Sequence, residues 1–239
     1  MQCVILAGGL GTRMRPLTDL CPKTLIPVAG HPFAWHQLRW LARQGVTEVV
    51  YSIGHMGEMI ERFWNEEPWP VPSIRFVAEG ENLLGTGGAI KLAFDQGILR
   101  EQFLVLYGDS FLPIRFGPFW KAFQASRKPA IMTVLRNEGR WDRSNVHYDH
   151  GRIVVYDKNL RPEMRHIDYG LSAFHREVFA GAPAGRFDLA TLFREMSLAG
   201  QLGGFEVTER FYEIGSPQGL RDFEDWLSTE NLQEIRITP

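Results

Sequence analysis

The most constraining feature of the chain is its N-terminal segment, residues 2–28, which reads QCVILAGGLGTRMRPLTDLCPKTLIPV. A short apolar strand runs directly into three closely spaced glycines and Arg13, and Lys23 follows ten residues later. Glycines without a Cβ allow backbone N–H groups to approach an anion closely, and arginine and lysine add positive charge beside it. This signature segment therefore predicts a polyphosphate-binding loop at the end of the first strand.

Spacing excludes two common phosphate-binding motifs. The dinucleotide fingerprint G-x-G-x-x-G needs a third glycine where the chain has Met14, and the P-loop motif needs a glycine where Pro22 precedes Lys23. A bare G-x-G is weak evidence, because any loop with positive φ explains it. The longer string G-G-x-G-T-R-x-x-P-x-T, followed by P-K-x-L-x-P-V, fills many more fixed positions than that explanation needs.

This string resembles the signature of the sugar-1-phosphate nucleotidyltransferases, the enzymes that make nucleoside-diphosphate sugars. The chain looks most similar to the short guanylyltransferases that act on mannose- or heptose-type 1-phosphates. The resemblance implies that Arg13 and Lys23 are catalytic. It implies nucleotide contacts from the loop and its preceding strand, at Leu6, Ala7, Gly8, Gly9, Gly11, Thr12 and Arg13.

Composition narrows the class of protein further. At 239 residues the chain is long enough for one large α/β domain with a substantial core. Lys plus Arg is 26 and Asp plus Glu is 28, so a net charge of −2 gives no electrostatic reason to expect a nucleic acid or membrane partner. No apolar run approaches the ~20 residues of a membrane span, and no export signal precedes the first strand. We therefore expect a cytoplasmic protein.

The first half of the chain alternates two patterns. Apolar, β-branched runs predict strands at Cys3–Leu6, Glu48–Ile53, Ser73–Val77, Phe103–Leu106 and Ala130–Leu135. Helical periodicity predicts helices at Phe33–Gln44, Gly57–Glu66, Gly87–Phe94 and Pro118–Arg127. Short strands separated by helices of this length predict an α/β fold, Rossmann-like, with a mixed and mostly parallel sheet flanked by helices.

After about residue 140 the pattern changes to hairpins and isolated strands. The predicted elements are a hairpin at Asn145–Tyr148 and Arg152–Tyr156, strands at Ile167–Phe174, Gly204–Val207 and Phe211–Ile214, and helices at Leu189–Ala199 and Pro217–Leu227. We predict one domain over residues 1–239, with about 1–140 binding the nucleotide and about 141–239 binding the sugar. Hexapeptide repeats are absent from the sequence, so we expect no C-terminal β-helix.

Asp109 is the leading candidate for a metal ligand. It follows an apolar strand directly, and Mg²⁺ prefers one or two carboxylate oxygens together with phosphates and water. The alternative is a strand-end aspartate that caps the next turn. The string L-V-L-Y-G-D-S also resembles the family's metal-binding strand. By the same resemblance Glu213 is the second Mg²⁺ ligand, in E-I-G-S-P where the family has D-x-G-T-P, unless it is a solvent-facing acid at a strand end.

The resemblance also implies which residues read the base. Glu79 lies where family members contact the nucleobase, with Gly85 and Thr86 close behind it in L-G-T-G-G. A carboxylate accepts from both N1–H and the exocyclic amine of guanine, so Glu79 favours GTP. Uridylyl- and thymidylyl-transferases often have an amide there, and uridylyl, cytidylyl or thymidylyl transfer remains the alternative.

Sugar contacts are implied at four positions. Asp157 and Lys158 stand where the family has a Glu-Lys pair, in which the acid binds sugar hydroxyls and the lysine holds the sugar phosphate. Asp168 stands where relatives often have asparagine, and Asn145 is a further candidate. For Asp157, Asp168 and Asn145, an ordinary polar position on a hairpin is an equally good explanation.

These residues support one hypothesis: Mg²⁺-dependent transfer of a nucleotidyl group from a nucleoside triphosphate to a sugar 1-phosphate. Neither a Ser–His–Asp nor a Cys–His arrangement is recognisable, which agrees with direct transfer. A catalytically silent relative that regulates a partner is the competitor from another class. A glycosyltransferase would be expected to carry a D-x-D motif, and the sequence contains none. The oligomeric state is not determined by the sequence.

Overall fold

The architecture is that of a computed structural model, which describes residues 1–66, 71, 73–80, 82–141, 143–159 and 162–229. The strands are, in chain order, β1 Gln2–Leu6, β2 Pro27–Val28, β3 His31–Pro32, β4 Glu48–Ile53, β5 Ser73–Ala78, β6 Gln102–Tyr107, β7 Ser110–Phe111, β8 Ala130–Arg136, β9 Val146–Asp149, β10 Arg152–Tyr156, β11 His166–His175, β12 Leu202–Val207 and β13 Tyr212–Glu213. The helices are α1 Phe33–Arg43, α2 Gly57–Glu66, α3 Gly85–Asp95, α4 Phe116–Ser126, α5 Leu189–Leu198 and α6 Pro217–Ser228.

Nine of these strands form one sheet in the order β5-β4-β1-β6-β11-β8-β12-β10-β9. The pairs β4–β5, β1–β4, β1–β6 and β8–β12 are parallel. Strands β10 and β11 run against their neighbours, so the other seven point the same way. The prediction of a mixed, mostly parallel sheet flanked by helices is confirmed.

The sheet is covered on both faces, because its central strands are apolar on both sides. Along β1, Cys3 and Ile5 pack into one core with Leu38 of α1, whereas Val4 packs into the other with Ile90 of α3. This alternation is the two-residue period of a strand. Helices α1, α2 and α4 supply the first core, and α3 and α5 supply the second, so the sheet is the middle of three layers.

The last helix fixes the signature segment to the rest of the fold. Ser216 caps α6 by accepting a hydrogen bond from the Gly219 N–H, and Pro217 occupies the first helical position. Phe223 of α6 packs with Met14 of the signature segment and with Phe111 of β7 in a third apolar cluster. Buried apolar contacts therefore fix the position of the loop after β1.

The carboxyl ends of four parallel strands lie in one row. Leu6, the last residue of β1, is in register with Ser52 of β4 on one side and with Tyr107 of β6 on the other. On β5 the row ends at Ala78, which pairs with Ile53. Ligands of open α/β sheets bind outside this edge. The signature loop, Glu79 and Asp109 all follow directly from it, as the sequence predicted.

Candidate active site

The first of two adjacent clefts at this edge has a volume of about 290 Å³. Ten of the predicted site residues line it, and they come from three separate parts of the sequence. They are Leu6, Ala7, Gly8, Gly9, Gly11, Lys23, Glu79, Gly85, Thr86 and Asp109. The sheet edge therefore brings together the residues to which the sequence assigns the nucleotide, the catalytic lysine and one metal ligand.

The signature loop is held against β4 by its backbone. The N–H of Ala7 donates to the Ser52 carbonyl at 2.9 Å. A Cβ added to Gly8 would lie 2.3 Å from Oε1 of Glu79, so only glycine allows the loop and that carboxylate to touch. Among the residues that the structure describes, no heavy atom lies within 4 Å of the corresponding point on Gly9. The loop therefore presents bare backbone to the cleft.

Within the described part of the chain, two donors orient Glu79. Its Oε2 accepts from the Leu84 N–H at 2.7 Å, and its Oε1 accepts from the Ser52 hydroxyl at 3.3 Å. A carboxylate has about four acceptor positions, so these bonds leave capacity for a ligand in the cleft. Such a fixed, partly satisfied acceptor pair suits recognition of two neighbouring N–H donors on a planar base.

Lys23 and Asp109 form an ion pair across the cleft. Lys23 Nζ lies 2.8 Å from Asp109 Oδ2, and the two side chains are 17% and 24% exposed. Lys23 begins a single 3₁₀ turn after Pro22, which directs its side chain towards the end of β6. The charges are close enough to set each other's position at the floor of the cleft.

The second cleft, of about 210 Å³, lies against the first and shares Tyr107 and Asp109 with it. Predicted residues Asn145, Asp168 and Glu213 line it as well. All three belong to the later part of the chain. The metal-ligand candidate Asp109 thus stands between the part of the site built by the signature segment and the part built by residues after 140.

Asn145 and Asp168 are linked by hydrogen bonds. Asn145 Oδ1 accepts from the backbone N–H of Asp168, and Asp168 Oδ1 accepts from the Gly170 N–H, each at 2.9 Å. Burial raises the pKa of the Asp168 carboxyl to about 6, against the lowering effects of the Gly170 hydrogen bond and the Lys158 charge. Asp168 is therefore a half-buried acid with a lysine near it, at the floor of the second cleft.

The predicted pair Asp157 and Lys158 is divided by the structure. Lys158 is exposed and acts electrostatically on Asp168, although it lines neither cleft. Asp157 is buried: its Oδ1 accepts from the N–H and side chain of Asn159, and Oδ2 lies 3.4 Å from Arg194 Nε. Its carboxylate therefore holds the end of β10 to α5, and the structure does not bring it into either cleft.

Arg13 and Thr12 also lie outside the lining of both clefts. They are exposed in the 3₁₀ turn that follows Gly11, whose φ of 63° is in the left-handed region. A Cβ added to Gly215 would lie 3.2 Å from the Arg13 guanidinium and 3.6 Å from the Glu213 carboxyl carbon. Arg13 therefore stands beside a predicted metal ligand, at the rim of the second cleft.

The two predicted Mg²⁺ ligands lie on paired segments. Strand β13 pairs with β7, which places Glu213 opposite Ser110, and the Ile214 N–H donates to the Asp109 carbonyl at 2.9 Å. In the described part of the chain, no three His, Cys, Asp or Glu side chains come together as a metal cluster. Two carboxylates on one cleft fit Mg²⁺, which takes its remaining ligands from phosphates and water.

Several cleft residues were not predicted from the sequence. Tyr107 lines both clefts, and the rule that ligands bind at strand ends could have identified it, since it ends β6. Burial raises its pKa, and the carboxylates of Asp168 and Asp109 add to this effect, so the phenol stays protonated. Arg186 and Asp188 line the first cleft, and Arg143 lines the second. These three have no local motif that marks them.

A long-range contact brings Arg186 and Asp188 to the cleft. The Phe187 carbonyl accepts from the N–H groups of Gly87 and Gly88, and the Leu189 N–H donates to the Thr86 hydroxyl. The segment before α5 therefore docks on the first turn of α3, next to the base-reading candidate Glu79. The sequence separation of about one hundred residues explains why the pattern alone gave no sign of it.

In the part of the chain that the structure describes, no helix has the length and apolar character of a membrane span. A family model described as Nucleotidyl transferase matches residues 2–144, which include the signature segment, Glu79 and Asp109. The chain belongs to this nucleotidyltransferase family. The resemblance stated from the sequence is confirmed, and the later part of this nucleotidyltransferase lies beyond the family match.

Relatives extend the similarity over most of the nucleotidyltransferase. N-acetylmuramate α-1-phosphate uridylyltransferase of Neisseria meningitidis serogroup B is 31% identical over 231 residues, covering 93% of this chain and 96% of the relative. D-glycero-α-D-manno-heptose 1-phosphate guanylyltransferase of Aneurinibacillus thermoaerophilus is 27% identical over 224 residues, covering 92% and 96%. The solved structure of HddC from Yersinia pseudotuberculosis, at 24% identity and a TM-score of 0.78, covers 95% of this chain and 99% of HddC, and shows the same fold.

Proposed function

We propose that this nucleotidyltransferase transfers a guanylyl group from GTP to a mannose- or heptose-type sugar 1-phosphate, with Mg²⁺, and releases pyrophosphate. One observation carries the proposal: two clefts meet at Asp109, one lined by the signature loop and Lys23, the other by Asn145 and Asp168. A triphosphate in the first cleft and a sugar phosphate in the second would meet at this boundary.

The reaction needs no protein nucleophile. A phosphate oxygen of the sugar 1-phosphate attacks the α-phosphorus of GTP, one P–O bond forms, and the bond to the bridging oxygen of pyrophosphate breaks. Both substrates are anionic, so positioning and charge neutralisation are the main tasks of the protein. The bare backbone at Gly8 and Gly9 suits the triphosphate, because no described residue comes within 4 Å of the space that a Gly9 Cβ would take.

The cationic side chains divide between the two substrates. Lys23 would bridge the α-phosphate and the attacking phosphate; its ion pair with Asp109, which lines both clefts, supports this role. Arg13 lies in the turn that follows Gly11 of the signature loop and would neutralise charge that develops on the leaving pyrophosphate. Lys158, whose charge already acts on Asp168, would orient the sugar phosphate.

Asp109 and Glu213 would hold the Mg²⁺. Their segments are hydrogen-bonded to each other, and both residues line the second cleft. Bound there, Mg²⁺ supplies Lewis-acid stabilisation of charge on the reacting phosphate. In this scheme the Lys23–Asp109 ion pair keeps the carboxylate directed into the cleft, where it would bind the cation.

The choice of GTP depends on Glu79. Its carboxylate is fixed by Leu84 and Ser52 and keeps acceptor capacity towards the cleft. The heptose 1-phosphate guanylyltransferases of A. thermoaerophilus and Campylobacter jejuni support guanine, and HddC was also solved with GMP-PN. Uridylyl transfer is the second candidate, because the relative from N. meningitidis is named a uridylyltransferase and is 31% identical.

A substrate matrix tests the proposal. Four nucleoside triphosphates are combined with mannose, glucose, N-acetylmuramate and heptose 1-phosphates, and pyrophosphate release is measured. The expected result is the highest kcat/KM for GTP with a mannose- or heptose-type acceptor. A preference for UTP with N-acetylmuramate 1-phosphate would overturn the substrate assignment. If no substrate pair gives pyrophosphate release, the proposed activity is overturned and a regulatory relative becomes the better explanation.

The metal assignment has its own test. Asp109→Asn keeps the shape of the side chain and removes the charge that a metal would bind. We expect the Mg²⁺-dependent turnover to fall by about 100-fold or more, the usual cost of losing a major electrostatic contact. Turnover near the unmodified rate at the same Mg²⁺ concentration would contradict a role for Asp109 in metal binding.

A further inference from the structure

The loop that carries Asp109 is held by a side chain from outside the clefts. Gln37 of α1 is 1% exposed, and its Nε2 donates to two carbonyls, Tyr107 O at 2.9 Å and Ser110 O at 2.7 Å. These carbonyls stand on either side of Gly108 and Asp109. One amide group therefore fixes the backbone both before and after the candidate metal ligand.

The oxygen of the Gln37 amide indicates why a glutamine occupies this position. Gln37 Oε1 is buried and has no hydrogen-bond partner among the described residues. A buried acceptor without a partner is unfavourable, and an apolar residue would avoid it. The geometry therefore favours the two N–H donors as the reason for an amide at this position. Without them, the Tyr107 and Ser110 carbonyls would each lose this buried donor.

Other contacts hold the same loop from the sheet. The Gly108 N–H donates to the Leu6 carbonyl at 2.9 Å, and the Ile214 N–H donates to the Asp109 carbonyl at 2.9 Å. They connect the loop to the signature segment and to the strand of Glu213. The Gln37 bonds are the contribution of α1, and they act on the two carbonyls that these backbone bonds do not reach.

We propose that Gln37 is a positioning residue for the proposed Mg²⁺ site: its two hydrogen bonds to Tyr107 and Ser110 set the direction of the Asp109 carboxylate. Gln37 touches neither substrate nor metal, and acts only through the loop. This inference rests on the proposed function. It adds α1 to the elements that determine how tightly the metal is held.

The test uses a shape-matched variant and a matched control. Gln37→Met keeps the length of the side chain and removes both donors. Gln2 is the control, because it is also 1% exposed and also spans two backbone groups, donating to Ile98 O and accepting from Arg100 N–H. It lies at the opposite end of β1 from the clefts, so Gln2→Met disturbs the fold without disturbing Asp109.

Two quantities are measured for each variant. The first is the Mg²⁺ concentration for half-maximal pyrophosphate release, with kcat and the KM of the nucleotide. The second is independent of turnover: the affinity for Mn²⁺ in the presence of a non-hydrolysable GTP analogue, followed by electron paramagnetic resonance. Loss of a group that orients a metal ligand typically costs about 10- to 100-fold in metal affinity or activity.

For Gln37→Met we expect losses of that size in kcat and Mn²⁺ affinity, a nucleotide KM within about threefold of the unmodified value, and no such change for Gln2→Met. Unmodified metal affinity in folded Gln37→Met would overturn the inference, as would equal losses in both variants. If Gln37→Met does not fold, Gln37→Asn decides: it is too short to reach both carbonyls, so weaker Mn²⁺ binding supports the inference and unmodified binding overturns it.

The two readouts separate this inference from the proposed function. If the unmodified protein releases no pyrophosphate with any substrate pair, the proposed function fails. The Mn²⁺ measurement then still tests Gln37. If the unmodified protein is active and Gln37→Met behaves like it in both measurements, the inference about Gln37 fails alone.

Discussion

Lys23 Nζ lies 2.8 Å from Asp109 Oδ2, so the predicted phosphate-binding cation and the predicted metal-binding carboxylate are direct partners. Both side chains are mostly shielded from solvent. The attraction between two such charges is screened less by salt than the attraction between exposed charges. The pair has a functional implication. Under the proposed function, Asp109 would exchange the lysine for a metal cation and Lys23 would exchange the carboxylate for a phosphate, so each group would keep a partner of opposite charge.

The first prediction concerns Lys23. Lys23→Ala should lower kcat by about 100- to 1,000-fold, because it removes a cation at the point where charge is redistributed in the transition state. The nucleotide KM should change much less than kcat. Steady-state pyrophosphate release measures both constants.

Lys91→Ala is the matched control for this change. Lys91 is similarly shielded and pairs with Asp95 within α3, outside the lining of either cleft. Lys91→Ala removes an ammonium–carboxylate pair of the same kind and should leave kcat unchanged. If Lys23→Ala raises the nucleotide KM and leaves kcat unchanged, Lys23 only binds the triphosphate and has no catalytic role.

The second prediction is a change of base preference in Glu79→Gln. The amide oxygen can still accept from the Leu84 N–H, and the new NH₂ group faces the Ser52 hydroxyl, which can accept. The fold should therefore be retained. Two guanine donors would meet one acceptor, which should reduce kcat/KM for GTP relative to UTP by about 10- to 100-fold, the range of a bidentate base contact. An unchanged GTP-to-UTP ratio would remove Glu79 from base recognition.

The third prediction compares neighbouring glycines. Gly8→Ala places a methyl group 2.3 Å from Glu79 Oε1, so this carboxylate must move away from its hydrogen bonds with Leu84 and Ser52. Weakening these bonds should cost about 1–3 kcal/mol in the free energy of unfolding. In Gly9→Ala no heavy atom of the described residues lies within 4 Å of the new methyl group, so the stability should be nearly unchanged. Chemical denaturation of both variants measures the difference. If both glycines face phosphate, both variants should lose nucleotide affinity, although only one loses stability.

The fourth prediction is a pH dependence from Asp168. Burial raises its pKa to about 6 in the folded chain, above the ordinary value of 3.8. Between about pH 4 and 6 the folded state therefore binds the proton more tightly than the unfolded state, and the free energy of unfolding falls as the pH rises through this window. The cost is absent below about pH 4 and complete above about pH 6.

Asp168→Asn removes this cost and keeps an oxygen that can accept from Gly170. The variant should be more stable than the unmodified chain by about 1–2 kcal/mol at pH 8, after allowance for the solvent contact of the carboxylate, and nearly equal to it at pH 4. Urea denaturation at the two pH values measures the difference. A stability difference that does not change with pH would show that the carboxyl titrates at its ordinary value.

The sequence predicted the elements well because the sheet is buried on both faces. Continuous apolar runs such as Cys3–Leu6 and Phe103–Leu106 indicated strands, and the rule for strand ends then placed the signature loop, Glu79 and Asp109 together. The short pair of β7 and β13 was only half anticipated, since two-residue strands have no period to detect. It is this pair that brings Glu213 to Asp109.

The contacts of individual side chains were less predictable. The position of Asp157 suggested a sugar contact, but pairing with Arg194 and Asn159 occupies its carboxylate, and neither partner is marked by a motif. The same holds for Gln37, which a helical pattern identifies only as one residue on α1. Hydrogen bonds between distant segments depend on the assembled sheet, so local patterns do not contain them.

One wall of the second cleft comes from a single stretch of the chain that includes the start of β11. Asn145 and Asp168 come from a contiguous stretch, roughly residues 143–170, and they line the second cleft without lining the first. Under the proposed function, exchange of this stretch between relatives would replace part of the acceptor-facing wall and leave the signature segment intact. Acceptor specificity would then change through one inherited block, with the triphosphate-binding loop unaltered.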